Sequence, residues 1–312
     1  MTTPARFKSD VELKSLDVLA LLLPHRRTGN PGEVATLDDF APQLRQISAF
    51  VAADEPIVFT LPAFPCKSPN LAKVLGRQPD EGERLSLRFL DELCAEVEKV
   101  YSPGARLLIC SDGHVFGDLI QVPDSHIDAY GRGLRDMLTE NDLSRLHTFD
   151  LSDVFGDLSF NDKRAEIVRR YGPTIEQLRA EVHADEQARR LYLGITRFLV
   201  EDAAEFFGTR SALQRQCRQR AYGVIQRSRA WSKLIADHHR QQVRLSIHPQ
   251  ALGSAKFGIA LLEGPDAWTT PWHSVALYHN DGSVELTRRD RAEQLGRLAY
   301  RGGRPSHFHQ GG

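Results

Sequence analysis

Alternating apolar runs and amphipathic stretches in the first half of the chain predict an α/β fold on a doubly wound, mostly parallel sheet. Two further observations complete the expectation. Residues 162–240 keep helical periodicity without a strand signal, and beyond residue 240 short β-rich runs take over. The expected architecture is a Rossmann-like core with a helical segment over 1–240 and a C-terminal β-rich part of the same domain over 241–300. A mobile tail is expected over 301–312.

Each element has its own signal. Leu13, Leu16, Leu19, Ala20 and Leu23 recur at helical spacing in a mostly helical first 50 residues, and Pro24 stops that helix. Arg26 to Glu33, with Gly29, Pro31 and Gly32, reads as a loop. Pro56 to Leu61 is a short apolar run with β-branched residues, as a buried strand requires. Residues 84–100 place Phe89, Leu90, Leu93, Val97 and Val100 on one helix face, ended by Ser102-Pro103-Gly104. Arg106 to Cys110 is a second strand, Ile127, Tyr130, Leu134 and Leu138 mark a helix, and Leu146 to Asp150 is a third strand. Tyr171-Gly172-Pro173 interrupts the helical segment, with Thr174 as a cap. Gln242–Ile247, Phe257–Leu262, Val275–Tyr278 and Val284–Thr287 read as strands, the last two joined by a hairpin at Asn280-Asp281-Gly282.

Composition narrows the function classes. With 40 Lys and Arg against 41 Asp and Glu, the net charge of −1 speaks against a globally basic nucleic-acid binder. Eight basic residues from Arg210 to Arg240 face one acid, Asp237, a pattern usual for a solvated helix face. Cys66, Cys94, Cys110 and Cys217 form no C-x-x-C pair, so a reduced, cytoplasmic protein without structural zinc is expected. The polar opening MTTPARFKSD lacks a signal peptide's apolar stretch, and no run there is long enough to span a membrane.

Four stretches carry candidate chemistry. Phe64-Pro65-Cys66-Lys67-Ser68-Pro69-Asn70 follows a strand, with Ser68 placed as a helix N-cap and Pro69 as the first helical residue. That arrangement predicts an anion site at the helix N-terminus, with Lys67 beside it; a rigid turn with a solvated lysine is the alternative. Ser111-Asp112-Gly113-His114-Val115-Phe116-Gly117-Asp118 clusters ionisable groups at a strand's carboxyl end, where open α/β sheets bind ligands. Strand alternation sets Arg244, Ser246 and His248 on one face, the last at a strand end before Pro249. Thr270-Pro271-Trp272-His273 is a stiff aromatic–imidazole turn.

Other chemistries lack their signatures. No G-x-G-x-x-G or G-x-x-x-x-G-K-[ST] suggests nicotinamide, flavin or ATP, and no G-x-S-x-G suggests a serine hydrolase. His126-Ile127-Asp128 matches an iron-oxygenase triplet in letters but opens a helix. His238-His239 points to different faces of a helix, and His307 and His309 fall in the expected tail, so no metal is expected.

Taken together, the four stretches resemble the pyoverdine/dityrosine biosynthesis family, over about residues 15 to 290. F-P-x-K-S-P-N is the specific motif, and the other three support it. The resemblance implies a cofactor-independent isocyanide synthase. Such an enzyme joins an L-amino acid, tyrosine or tryptophan, to ribulose 5-phosphate, keeps the amine nitrogen and passes its product to a tailoring oxygenase. Within that reading, Lys67, Asp112, His114 and His273 are taken as the catalytic candidates by residue type. Phe64, Phe116 and Trp272 would flank the aromatic side chain, and Arg84 or Arg244 would fork onto a carboxylate or phosphate. Ser68, Asn70 and His248 complete the substrate-binding set. Two readings stay open beside it: a Schiff-base aldolase or transaldolase using Lys67, and a non-catalytic sugar-phosphate or nucleic-acid binder.

Overall fold

A computed structural model describes residues 9–311 except Pro31, Glu205 and Ala267. The reading of the polar N-terminus falls almost wholly on residues 1–8 and lies outside the described residues, as does Pro31 of the first loop. Helices α1 (Asp10–Leu22) and α2 (Ala41–Ala53) lead into strand β1 (Ile57–Pro62). A long irregular stretch then precedes α3 (Glu81–Val100), β2 (Ala105–Cys110), α4 (Gly113–Ile120) and α5 (Asp124–Glu140). Strand β3 (Leu146–Phe149) hands over to α6 (Leu151–Phe155), α7 (Phe160–Tyr171), α8 (Ile175–Ala184), α9 (Glu186–Asp202) and α10 (Arg210–His238). The chain closes with β4 (Val243–Ser246), β5 (Phe257–Gly258), β6 (Val275–Tyr278), β7 (Val284–Thr287), α11 (Arg289–Leu295), β8 (Gly296–Arg301) and β9 (Arg304–Gln310).

Two sheets form. The first is parallel, in the order β3-β2-β1-β4-β5. Ile57, Phe59 and Leu61 of β1 and Leu107 and Ile109 of β2 are buried with helical side chains such as Leu19, Ile47, Leu90 and Val97. Each such side chain contributes about 1.5–3 kcal/mol when removed from water. Helix α3 forms because Asp80 and Glu83 make a reciprocal capping box, and Leu87, Leu90, Cys94 and Val97 then recur on its buried face. Strand order reverses between β1 and β4. Sheets of this kind bind ligands at that point, beyond the carboxyl ends of the strands.

The second sheet, β7-β6-β9-β8, is mixed, and β6 and β7 pair antiparallel as the Asn280-Asp281-Gly282 turn predicted. Three expectations need correction. Residue 240 is no boundary in the sheet, because β4 and β5 complete the parallel sheet begun by β1 to β3. Residues 304–310 are no mobile tail: β9 pairs with β8 antiparallel and with β6 parallel, burying Phe308. The signal was present in Gly302-Gly303, both at positive φ, which make the tight turn joining β8 to β9. Finally, Ser68 caps no helix; a turn follows, closed by Lys73 N–H donating to the Asn70 carbonyl, and the next helix begins at Glu81. All four cysteines are free and buried. Among the described residues, no helix is long and apolar enough to cross a membrane.

Candidate active site

The site grows out of the loop after β1. Phe64 takes a left-handed φ of 55°, costing about 1–3 kcal/mol for a non-glycine residue, and turns the chain sharply as it leaves the sheet. At Gly113, a side chain would run into the Pro65 carbonyl, so glycine lets the loop lie directly against the start of α4. The loop is then fastened to the turn at 270–273. Ser68 N–H donates to the Trp272 carbonyl at 2.8 Å, and the Phe64 and Trp272 rings pack with centroids 5.1 Å apart. Two motifs about 200 residues apart in sequence therefore form one wall.

Lys67 belongs to the foundation of that wall and not to an open anion site. Its side chain is fully buried, with Nζ 2.8 Å from both Asp80 Oδ2 and Glu83 Oε2, and it donates to the Pro271 carbonyl at 3.0 Å. The acids at the start of α3 take up the ammonium, and Tyr130 Oη donates to Glu83 at 3.1 Å. Burial pushes the Lys67 pKa down, but the charges of Asp80 and Glu83 outweigh it, and the net shift is upward. Two enclosed carboxylates share one cation, so burial and the nearby Glu83 raise Asp80.

Sequence reasoning passed over the residue that organises the wall. Asp202 ends α9, where a helix C-terminus disfavours an anion. Here Asp202 is buried and surrounded by donors. Ser68 Oγ donates to Oδ1 at 2.5 Å, Lys73 Nζ lies 2.9 Å from the same oxygen, and His273 Nε2 stands 3.7 Å from Oδ2. Burial would raise its pKa, yet His273, Lys73 and Ser68 together hold it well below the usual carboxylate range. Asn70 ties the same helix end through the Glu201 carbonyl at 3.0 Å. His273 keeps some solvent access, with Nδ1 facing Thr270 Oγ1 at 3.1 Å and its ring edge-on to Phe198. Asp202 and Lys73 offered no motif of their own, since each gains meaning only from its partners.

Asp112 follows β2 at the start of α4. As a residue it is half-buried, yet its Oδ1 is enclosed and has no hydrogen-bond partner among the described residues. Burial pushes its carboxyl up to about 7. Burial first, and then the charges of Asp112 and Asp202, push the Cys66 thiol far up, into an unreactive range. Asp112 and Asp202 thus both act on the Cys66 position, one held up near neutrality and the other well below the usual carboxylate range.

His248 stands in the bend just beyond β4. It is exposed to solvent yet crowded by protein, as a residue lining a cleft must be, and its ring packs on Trp268 at 5.5 Å. Loss of hydration and the charges of Arg27, Lys256 and His273 lower its basicity. Arg27 donates to the carbonyls of Ile247 at 2.7 Å and Thr269 at 3.2 Å, binding the β4 end to the loop before His273.

Several candidates fall elsewhere. His114 has both ring nitrogens engaged, Nδ1 3.2 Å from Asp124 and Nε2 3.0 Å from Asp128, and its ring stacks on Phe160 at 3.6 Å. It points toward α5 and α7, so it has no free nitrogen for proton transfer at the β2 end. Phe116 packs on the core of Cys110, Phe149 and Trp231. Arg84 is bound to Glu81 and lies beside Tyr278 of the second sheet. Phe64 and Trp272 are almost fully buried and fill the wall themselves, leaving no slot for a substrate ring between them. Asp118 pairs with Arg227 and Arg164, which accounts for part of the basic stretch of α10. Among the described residues, no three His, Cys, Asp or Glu side chains are set to hold a metal ion.

Comparison with known proteins places this geometry in context. The family model described as pyoverdine/dityrosine biosynthesis protein matches residues 47–298. An L-tyrosine isonitrile synthase of Pseudomonas aeruginosa is 45% identical over 272 residues, covering 85% of this chain and 83% of the relative. An L-tryptophan isonitrile synthase of Fischerella ambigua is 44% identical over 272 residues, covering 86% and 82%. The crystal structure of the PvcA protein of Pseudomonas aeruginosa superposes with a TM-score of 0.88 at 42% identity, covering 95% of this chain and 99% of that one.

Proposed function

Because the chain belongs to the pyoverdine/dityrosine biosynthesis family, we propose that it is an isocyanide synthase acting on L-tyrosine or L-tryptophan, with ribulose 5-phosphate as carbon donor. The observation that carries this reading is Asp112: a carboxyl near neutrality, with one oxygen enclosed and unpartnered, at the end of β2, one strand from the point where strand order reverses. Condensing an amine with a ketone requires removal of a proton from the nitrogen and delivery of one to the departing hydroxyl. A group with a pKa near the working pH does both. Asp112 is assigned that exchange. His273, oriented by Asp202 and Thr270, is assigned the second proton relay at the opposite wall. Asp202, Ser68 and Asn70 act as positioning residues, since their polar atoms are spent on the wall itself.

In this reaction the amine nitrogen is retained, the sugar's ketone carbon becomes the isocyanide carbon, and phosphate and carbon fragments leave. The chemistry is of the carbon–carbon lyase type and needs only acid–base groups, so cofactor independence is part of the proposal. A cytoplasmic enzyme of natural-product biosynthesis, with a tailoring oxygenase acting next, fits a product this reactive. The aldolase reading would need Lys67 as an amine nucleophile. Its ammonium is enclosed by two carboxylates and a carbonyl, which speaks against it. A non-catalytic binder has no use for a carboxyl such as Asp112, with an enclosed, unpaired oxygen.

The test is incubation with tyrosine or tryptophan plus ribulose 5-phosphate, with mass spectrometry for the isocyanide and Asp112→Asn as control. Product from the wild type and none from the variant is expected. Equal yields from both proteins would remove Asp112 from the reaction.

A further inference from the structure

Helices α8 and α10 stand off from the open edge of the parallel sheet and leave a groove of about 890 Å³. Its lining is strongly one-sided in charge. Arg229, Lys233, Arg244 and Lys256 face it, against a single acid, Glu181, which is bound to Arg229 at 2.6 Å. Lys233, Lys256 and Arg244 make no ion pair with a carboxylate among the described residues. Arg244 Nη2 donates to Ser232 Oγ, an uncharged partner, and the Lys256 ammonium has no hydrogen bond there.

Arg244 and Lys256 are only half exposed and sit close enough to repel each other; burial first, and for Lys256 the charge of Arg244, depress both pKa values. Crowding two partly desolvated cations without a counter-charge disfavours the folded state, and a folded protein retains such a conflict where a ligand resolves it. The Arg244 guanidinium, paired only with an uncharged hydroxyl, and the point charge of Lys256 suit a phosphate dianion, which takes both kinds of donor.

Position connects the groove to the reaction. Arg244 lies within β4, and His248 follows in the bend two residues beyond the end of that strand. Lys256 is near enough to His248 for its charge to lower that ring's basicity. A ligand anchored at Arg244 and Lys256 therefore lies within electrostatic reach of His248, which also feels the charge of His273.

We infer that this groove is the phosphate subsite, with Arg244 and Lys256 gripping the phosphate of the sugar-phosphate co-substrate and Lys233 at its rim. The inference rests on the proposed function for the identity of the ligand, and it moves the anion site from Lys67 to the far side of β4.

Titration calorimetry of the full chain with ribulose 5-phosphate, and separately with inorganic phosphate, tests it. Lys256→Met and Arg244→Gln should each weaken ribulose 5-phosphate binding roughly 10- to 150-fold, the loss of one charge-assisted contact. Inorganic phosphate should compete in the wild type, and amino-acid binding should be unchanged in both variants. Circular dichroism checks that Arg244→Gln folds, and the half-exposed Lys256→Met and exposed Lys233→Met variants decide the matter if it does not. Wild-type affinity for ribulose 5-phosphate in Lys256→Met, or no phosphate binding by the wild type, would overturn the subsite. Failure of the functional reading looks different: the wild type would bind ribulose 5-phosphate in a Lys256-dependent way yet yield no isocyanide.

Discussion

Replacing Asp112 by asparagine should remove turnover and stabilise the protein, and the two effects have one cause. The carboxyl Oδ1 is enclosed without a partner, and burial raises its pKa from an ordinary 3.8 to about 7. A carboxyl whose folded pKa lies above its unfolded value favours folding most below the unfolded value. Its contribution declines as pH rises and levels off above the folded value. Ionised Asp112 therefore burdens the native state at pH 8, by at most about 4 kcal/mol at 1.36 kcal/mol per pKa unit. Because the cleft admits water, about 1–3 kcal/mol is the expected gain for Asp112→Asn at pH 8. Near pH 4 the gain should vanish. Urea denaturation of both proteins at pH 4.5, 6 and 8 measures the gap, which should widen with pH and then stop widening above about 7. The rate should meanwhile fall by roughly 10²- to 10⁴-fold, the usual worth of a positioned acid–base group. An Asp112→Asn variant that is no more stable at pH 8 than the wild type, and nearly as active, would refute the account of this residue.

Other outcomes follow from the same geometry. The wild-type kcat/KM should rise as pH increases through about 7, because Asp112 must be ionised to accept the amine proton; a flat profile between pH 6 and 8 contradicts that assignment. Lys67→Met should cost about 3–5 kcal/mol of stability, measured by thermal or urea unfolding, since it strands Asp80 and Glu83 in the core. Activity of whatever Lys67→Met folds should be reduced through the displaced wall, with no selective loss for the sugar phosphate. Asp202→Asn should lower kcat by roughly 10-fold or more while leaving ribulose 5-phosphate affinity intact, because it releases His273 and Lys73 without touching the phosphate groove. His114→Gln should reduce stability by about 1–3 kcal/mol through lost contacts to Asp124 and Asp128 and spare catalysis in the surviving fold, as kinetics at low temperature would show.

Much of the scaffold was legible because it rests on periodicity. Strands β1 and β2 announce themselves as short apolar runs, α3 by its buried stripe, and the β6–β7 hairpin by Asn280-Asp281-Gly282. The joining of Ser68 to Trp272 was foreshadowed only by their appearing in motifs of the same family, since no local rule connects residues so far apart. Lys67 was misread for a physical reason. Ser68-Pro69 has the letters of a helix start, but the helix begins at Glu81, and its cap Asp80 and first-turn Glu83 close on the lysine. Charge type was visible in the sequence; charge pairing was not. His114 illustrates the same limit, its partners lying 10 and 14 residues away on the neighbouring helix. The groove of Arg244 and Lys256 depends on where α8 and α10 leave space, a property of packing that no residue pattern encodes.

The most direct test of the central claim follows nitrogen through the reaction. Purified protein is incubated with ¹⁵N-labelled tyrosine or tryptophan and ribulose 5-phosphate, and the product mass and its ¹⁵N content are measured. The account predicts an isocyanide that retains the ¹⁵N label, formed only when both substrates are present and absent with Asp112→Asn. No isocyanide from either amino acid, or an isocyanide formed without ribulose 5-phosphate, would contradict it.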